Sequence, residues 1–376
     1  MPLHLAWRIL ADHKGRTALA AGGVFVAILL IFVELGFFVA VPQGGMLIYD
    51  HLRFDLLVAS SKYLFQSQSG QFPRGRLALA QTIPEVAQAS ALYLGAGKWQ
   101  EPAGGLRLDL TVMGFDPRAR IFAVPEIERQ QAVLERADTV LVDSATRSLY
   151  GSLQPGRVVE IAGRRTTIGG QYTLGTGFLG LGVAVASEAN FFRLFPGRPP
   201  DSVNLGLVTL RPDADPDRAA RALRAVLPAD TRVFTRAELV AHEVAYWTVR
   251  TATGLIFGSG LVVSFVVGIM VLYQTLATQI TRQLPQFATL KAIGYSNRYL
   301  DAVVLLEALL IMMVAFLPAL GAALAIYALV REETLLPLQL SVPQLGAVFG
   351  ITLAMATASA FLSLGALRRA DPAEIF

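Results

Sequence analysis

The sequence predicts an integral membrane protein with four transmembrane α-helices and one large extracytoplasmic α+β domain. The chain of 376 residues is 54% hydrophobic and only 16% charged, whereas soluble domains carry about 25% charged residues. Four apolar stretches are each long enough to cross a hydrocarbon core, which takes roughly 20 residues. They are residues 17–40, 252–277, 302–330 and 345–367.

The distribution of charge predicts how these spans are oriented. Residues 1–16, 278–301 and 368–376 together contain eight Lys and Arg against four Asp and Glu, and this excess equals that of the whole chain, +4. Because short cytoplasmic loops are enriched in Lys and Arg, we place both termini and residues 278–301 in the cytoplasm and the short loop 331–344 outside. The basic residues of these cytoplasmic segments therefore account for the pI of 9.4, and we expect no nucleic-acid partner.

The N-terminal region is predicted to lie along the membrane and then cross it. Residues 17–40 exceed the apolar core of a signal peptide, which is about 7–15 residues long, so we predict a retained anchor. Before it, Leu3, Trp7 and Leu10 share one helical face, which predicts a cytoplasmic amphipathic helix over residues 1–16.

Residues 41–246 form the predicted extracytoplasmic domain, in which the order strand, helix ending at a proline, strand occurs twice. We interpret this order as two related α/β halves. Between them, residues of about 138–200 alternate and turn on glycine, which predicts a β-rich insertion. Its stretch around Phe178, Leu179 and Leu181 is either a flexible contact loop or, the interpretation we favour, a pair of tight hairpin turns. The predicted strands are residues 53–61, 106–116, 202–210 and 231–235, and the predicted helices are 76–86 and 215–228.

The sequence predicts no catalytic, cofactor-binding or metal-ligating residue. The stretch LGAGKWQ (residues 94–100) lacks the first glycine and the Ser or Thr of a phosphate loop, and GSG (residues 258–260) lacks the flanking glycine of a nucleophile elbow. The four histidines are scattered, and the absence of cysteine excludes disulfides and thiolate sites. We therefore predict that the chain is not an enzyme.

Two carboxylates inside the predicted spans, Glu34 and Glu307, are candidates for a functional role, because charge is costly in a bilayer. Each lies nearer to an end of its span than to the middle. Interfacial snorkelling is therefore favoured over a proton or gating role.

Small residues recur every four positions in the second and fourth spans. Such stripes let helices approach closely and predict a tight bundle, with a second copy as a further candidate for packing. They are Gly260, Ser264, Gly268, Gly346, Gly350 and Ala354.

The cytoplasmic segment 278–301 contains more than the turn that two antiparallel helices need. In QLPQFATLKAIGYSN, apolar residues recur at spacing three from Leu284 to Ile293. Pro285 suits a first helical turn and Gly294 suits a C-terminal cap. We predict a short separate helix of about three turns, with an apolar face that needs a partner.

This segment also carries a family resemblance. LPQFATLKAIGYSNRYL resembles the coupling segment of the MacB/FtsX-like (type VII) ABC permeases, and LRRADPAEIF resembles the usual end of that superfamily. The stretches LAWRILADHKGRTALAAGGVFVAILLIFVELGFF and DLLVASSKYLF resemble its DevC branch. The resemblance covers the full length in order, and the missing phosphate loop predicts that the ATPase is a separate subunit.

The resemblance implies a permease subunit that works as a homodimer with two copies of a separate ABC ATPase subunit, which would bind ATP and Mg. It implies transmission of ATP-driven motion to a porter-like periplasmic domain, in a bacterial inner membrane. It also implies a tripartite exporter with a membrane-fusion adaptor and, through the adaptor, an outer-membrane channel. The implied ATPase-coupling residues are Leu284, Pro285, Gln286, Phe287, Leu290, Lys291, Ile293, Gly294 and Tyr295.

Two alternatives stay open at the level of sequence. The same architecture serves lipoprotein-releasing or FtsX-like mechanotransmitters that do not export across an outer membrane. A receptor or structural membrane protein is the alternative of another class, although the cytoplasmic segments are too short for an output domain. A membrane-embedded enzyme is disfavoured because no nucleophile, base and metal constellation is present.

Overall fold

The computed structural model describes residue 8 and residues 14–101, 104–175, 180, 182–334 and 338–369. The chain divides into two compact units. The helical unit comprises Met1–Ala40 and Thr251–Phe376, and the sheet unit comprises Val41–Arg250. The predicted helix over residues 1–16, the C-terminal ADPAE motif and Phe178, Leu179 and Leu181 lie largely or wholly outside the described residues.

The elements of the described residues follow one another in a simple order. They are α1 (Lys14–Asp50), β1 (Leu56–Ser60), β2 (Phe72–Pro73), α2 (Gly75–Ala80), β3 (Val86–Gln100), β4 (Leu108–Phe115), α3 (Pro125–Arg129), α4 (Gln131–Leu134), β5 (Thr139–Asp143), β6 (Val158–Ile161), β7 (Arg164–Tyr172), β8 (Val183–Ser187), α5 (Glu188–Leu194), β9 (Ser202–Val203), β10 (Leu205–Leu210), α6 (Pro216–Val226), β11 (Thr231–Thr235), α7 (Arg236–Ala245), α8 (Ala252–Ala292), α9 (Asn297–Thr334) and α10 (Val342–Arg369).

Among the described residues, four helices are long and apolar enough to cross a membrane, and they match the four predicted spans. Helix α1 continues ten residues past the predicted end at residue 40, with Pro42 inside it. Helices α1, α8, α9 and α10 share one apolar cluster, to which Ile28, Leu276, Ala315 and Met355 each contribute a buried side chain. The helical unit is therefore a packed bundle, as the fold class predicts.

The first part of the sheet unit contains two α/β halves, as predicted, but the first half ends in β3 and not in the predicted strand 106–116. Strand β3 is absent from the predicted set. In the described ranges, β11, β1, β10 and β3 are neighbours in that order, and every adjacent pair is antiparallel. This order interleaves the units β1–α2–β3 and β10–α6–β11, which is the ferredoxin-like arrangement. Asp215 caps α6 by accepting a hydrogen bond from the backbone N–H of Asp217, and Pro216 begins the helix, as predicted. Helix α2 ends at Ala80, several residues before the predicted stop at Pro84.

The second part of the sheet unit contains the predicted β-rich insertion. Strands β5 to β8 do belong together, but within the described residues they close a six-stranded ring with β4 and the second half of β3. The segment also contains a helix, α5. Strand β3 is shared because its 15 residues pair with β10 up to Leu92 and with β4 from Leu92 onward.

The ring has a conventional hairpin at its β6–β7 corner. Ile161 pairs with Arg164 across a two-residue turn, in which Ala162 and Gly163 both have positive φ angles, 53° and 79°. Two consecutive positive φ angles define the type I′ turn that matches strand twist.

Candidate coupling site

The predicted coupling segment is the last part of a long helix. Helix α8 runs without a break from Ala252 to Ala292, so the short separate helix expected from the sequence is wrong. Pro285 lies inside α8 and not in a first turn. A proline removes one backbone hydrogen bond and crowds the preceding turn at a cost of about 3 kcal/mol, so the side-chain packing around it must offset this cost.

That packing is centred on Phe287. Its side chain is only 4% exposed and lies in an apolar cluster with Ile280, Leu300, Val304 and Leu364. These partners come from α8 itself, from the first turns of α9 and from the last turns of α10. The central residue of the predicted apolar face is therefore buried within the chain, and it is not available to a partner.

Helix α8 ends in a Schellman motif. The backbone N–H of Tyr295 donates to the carbonyl of Leu290 at 3.0 Å, and that of Gly294 donates to the carbonyl of Lys291 at 3.0 Å. Gly294 has a φ of +106°, a conformation that glycine adopts without a steric penalty. The sequence correctly predicts Gly294 as the C-terminal cap, and the motif reverses the chain into α9.

The reversal exposes an apolar tip, which we define as Ile293 and Tyr295. Ile293 is 70% exposed and Tyr295 is 43% exposed, and the ring of Tyr295 lies 4.7 Å from that of Tyr299. Lys291 and Arg298 are exposed beside the tip, and Arg282 is exposed about three turns earlier on α8. The remaining predicted coupling residues divide by burial, Leu284 and Leu290 being half-buried and Pro285 and Gln286 exposed.

The carboxylate of Glu34 meets α8 at Gly260. A Cβ atom placed on Gly260 would lie 2.5 Å from both Cδ and Oε2 of Glu34, so glycine is the residue that leaves room for this carboxylate. Glu34 Oε2 is buried and has no hydrogen-bond partner among the described residues. The structure thus brings together one predicted packing residue and one predicted intramembrane carboxylate.

The position of Glu307 disagrees with the prediction that its side chain snorkels to the membrane interface. It is 0% exposed in the helical unit, and neither carboxylate oxygen has a partner among the described residues. Its neighbours along α9, Val303, Val304 and Ala308, are also fully buried. Snorkelling requires a charged end in water, so the burial of Glu307 contradicts it.

The two stripes of small residues have different surroundings. In α8, Ser264 and Gly268 are buried, and a Cβ on Gly268 would clash with Met355 of α10. In α10, Gly346, Gly350 and Ala354 are exposed, and a Cβ on either glycine would meet no atom within 4 Å. The first stripe serves packing inside the chain, and the second leaves an open face.

Sequence reasoning missed the intramolecular partners of Phe287 and a buried polar network around Glu243. The partners of Phe287 are detectable only as apolar residues at the ends of two other helices. Glu243 is 0% exposed and accepts hydrogen bonds from Tyr63, 180 positions away, and from Trp247. In the part of the chain that the structure describes, no group of three or more His, Cys, Asp or Glu side chains is placed to bind a metal ion.

The fold and the site define a membrane protein with four candidate spans and a large folded domain between the first and the second. Residues 258–372, which include the apolar tip, match the family model described as FtsX-like permease C-terminal. This match covers less than half of the 376 residues. The C-terminal part of the chain is therefore similar to FtsX-like permease domains.

Comparison with solved structures finds likenesses at low sequence identity to two extracytoplasmic regions. The periplasmic region of MacB from Actinobacillus actinomycetemcomitans is 11% identical, with 49% of this chain and 90% of that chain covered and a TM-score of 0.37. The extracellular domain of the noncanonic ABC-type transporter YknZ from Gram-positive bacteria is 14% identical, with 48% and 99% covered and a TM-score of 0.33. Because both TM-scores are low, we draw no conclusion about this chain from these likenesses. A search of curated proteins finds no match to the chain.

Proposed function

We propose that the chain is the permease subunit of an ABC exporter and that it transmits motion from a separate ATPase subunit to its extracytoplasmic domain. The observation that carries the proposal is the apolar tip at the end of α8, within the part of the chain that is similar to FtsX-like permease domains. Ile293 and Tyr295 together expose an apolar surface at a predicted cytoplasmic end, and burying an isoleucine side chain against a partner gains about 1.5–3 kcal/mol. Lys291 and Arg298 beside it favour a partner groove with an acidic rim.

The length of α8 supports transmission rather than simple anchoring. Its 41 residues span about 60 Å at 1.5 Å per residue, so one continuous helix connects the tip to the opposite end of the predicted span. The Phe287 cluster joins the end of α8 to α9 and α10. A push on the tip would therefore move three helices together.

The proposal includes a homodimer and two ATPase copies. Support for the homodimer comes from the open face of α10, where Gly346, Gly350 and Ala354 are exposed, since small residues let membrane helices approach closely. Export through a membrane-fusion adaptor and an outer-membrane channel is the further part of the proposal, and it rests on the sequence resemblance to the DevC branch. ATP and Mg would be bound by the ATPase subunit.

The test is co-purification from native membranes of the wild-type chain and of Ile293→Asp. If Ile293 is a central contact, its loss costs about 2 kcal/mol, or roughly thirtyfold in affinity, and both the ATPase subunit and ATP hydrolysis are lost from the purified complex. Native mass spectrometry of the wild-type complex should give two copies of each subunit.

Val342→Asp is the matched control, because Val342 is 83% exposed at the start of α10, which we place near the outer loop. It should retain the ATPase subunit at the wild-type level. Retention of the partner by Ile293→Asp would refute the docking role of the tip. A wild-type chain that purifies without any nucleotide-hydrolysing companion would instead favour a receptor or structural protein.

A further inference from the structure

A buried hydrogen-bonded network joins the two ends of the sheet unit. The hydroxyl of Tyr49, near the end of α1, lies 2.6 Å from the hydroxyl of Tyr63. Tyr63 donates a hydrogen bond to Oε1 of Glu243 in α7. The indole Nε1–H of Trp247 donates to Oε2 of the same carboxylate at 3.1 Å. Residues from α1, from the loop after β1, from α7 and from the helical turn Tyr246–Arg250 thus meet at one carboxylate.

The two tyrosines and the carboxylate of the network are buried, and the network packs tightly on the backbone of α1. Tyr49, Tyr63 and Glu243 are at most 1% exposed. A Cβ on Gly45 would lie 2.6 Å from the indole Nε1 of Trp247 and 3.4 Å from Oε2 of Glu243. The absence of a side chain at Gly45 therefore permits α1 to approach the indole and the carboxylate.

No cation neutralises Glu243, since none of the ion pairs formed by the described residues includes it. Two titratable side chains on the same helix, Arg236 and His242, have other partners. Arg236 donates to two backbone carbonyls and pairs with Asp50. The His242 ring nitrogen is hydrogen-bonded to the carbonyl of Leu64, and its ring is tilted against the rings of Tyr63 and Phe234.

Burial raises the pKa of Glu243 to about 7, although the hydrogen bonds from Tyr63 and Trp247 lower it in part. The group therefore changes protonation state near neutral pH. As a carboxylate it accepts both donors. When Glu243 is protonated, its carboxyl O–H becomes a donor and needs an acceptor. The indole N–H of Trp247 can only donate, so the acceptor is the hydroxyl of Tyr63. The hydroxyl of Tyr63 must then turn its own hydrogen towards Tyr49.

We propose that Glu243, with Tyr49, Tyr63 and Trp247, forms a proton-sensitive joint that fixes the end of α1 against the segment Tyr246–Arg250. This inference goes beyond the proposed function and does not depend on it, because the joint lies wholly within the sheet unit. Its consequence is that the two chain ends of the sheet unit separate more readily once Glu243 is ionised.

Proton linkage gives the direction in which pH changes the opening of the joint. The folded pKa of Glu243, about 7, lies above the ordinary value of 4.5, so the folded joint binds the proton more tightly than the opened joint. Its stabilising contribution is full below pH 4.5 and is lost as the pH rises through 7. Between pH 6 and pH 8 these two pKa values give an increase of about tenfold in the equilibrium constant for opening.

Hydrogen exchange of the full chain in detergent tests the joint, after correction for the pH dependence of intrinsic exchange. Peptides covering residues 45–50 and 246–250 of the wild type should exchange about tenfold faster at pH 8 than at pH 6. In Glu243→Gln this difference should disappear. His242→Gln is the matched control on the same helix, and it should keep the wild-type difference.

Tyr63→Phe provides a second readout that does not depend on the folding of Glu243→Gln. Removing the Tyr63 hydroxyl removes a hydrogen bond that lowers the pKa of Glu243, so the transition should shift to higher pH. The joint is overturned if Tyr63→Phe leaves the transition where it is in the wild type. It is also overturned if His242→Gln, and not Glu243→Gln, abolishes the pH dependence.

Discussion

Replacing Phe287 by alanine should loosen the end of α8 rather than remove a docking contact. Phe287 is 4% exposed, and its ring packs against Ile280, Leu300, Val304 and Leu364. Truncating a buried phenylalanine to alanine costs about 3–5 kcal/mol, because the transferred area and the remaining cavity both contribute. With the lower value, the open population of the helix end rises roughly 150-fold, since each 1.4 kcal/mol is a factor of ten.

Hydrogen exchange measures this population directly. In the purified full chain, the amides of residues 284–290 should exchange roughly 150-fold faster in Phe287→Ala than in the wild type, provided that closing is fast compared with exchange. Ile293→Ala is the matched control, because Ile293 is 70% exposed. A surface substitution of this kind changes stability by less than about 0.5 kcal/mol, or roughly twofold in exchange.

Comparing these two variants tests whether the Phe287 cluster stabilises the end of α8. If Phe287→Ala and Ile293→Ala both change exchange by less than about threefold, the cluster does not stabilise the end of α8. The placement of Pro285 inside a continuous helix would then lack its physical explanation.

Two further predictions concern the close contact at Gly260 and the buried hydrogen bonds of Asn190. Gly260→Ala should lower the unfolding temperature, because its Cβ would lie 2.5 Å from Cδ of Glu34, and overpacking costs about 1–3 kcal/mol. Adding Glu34→Ala should restore the wild-type temperature in the same fluorescence-detected melt, whereas additive losses would contradict the contact. Asn190→Ala should destabilise the sheet unit by about 3 kcal/mol, because its amide donates to three backbone carbonyls and accepts from the N–H of Asp138. Urea unfolding of the full chain measures this loss, and a value below about 1 kcal/mol would mean that water replaces these bonds.

The features that sequence predicts well are those encoded within one helix or one strand. Four apolar stretches predict the spans, and the pair Asp215 and Pro216 predicts the start of α6. Gly294 predicts the end of α8, because a left-handed residue must follow a Schellman end. Each of these signals depends on neighbours along the chain.

The features that sequence did not predict depend on distant contacts. Pro285 is typical of a helix start, but the packing of Phe287 against α9 and α10 keeps the helix continuous through it. The partners of Glu243 are separated by up to 180 positions, and no local pattern marks a single Glu as the centre of a network. The burial of Glu307 likewise follows from how α9 packs, since its position near a span end predicts a solvated head.

The sharing of β3 has a consequence for any attempt to cut the sheet unit into modules. Up to Leu92 this strand pairs with β10, and from Leu92 onward it pairs with β4 and then, at Trp99 and Gln100, with β6. Deleting β5 to β8 would leave its second half paired with β4 alone. It would also expose the edge of β4 that pairs with β8 at Thr111–Phe115, and other chains can pair with the bare N–H and C=O groups of such an edge. The ferredoxin-like part and the ring are therefore a single cooperative structure, and a shortened version of this domain would aggregate unless its exposed edge were redesigned.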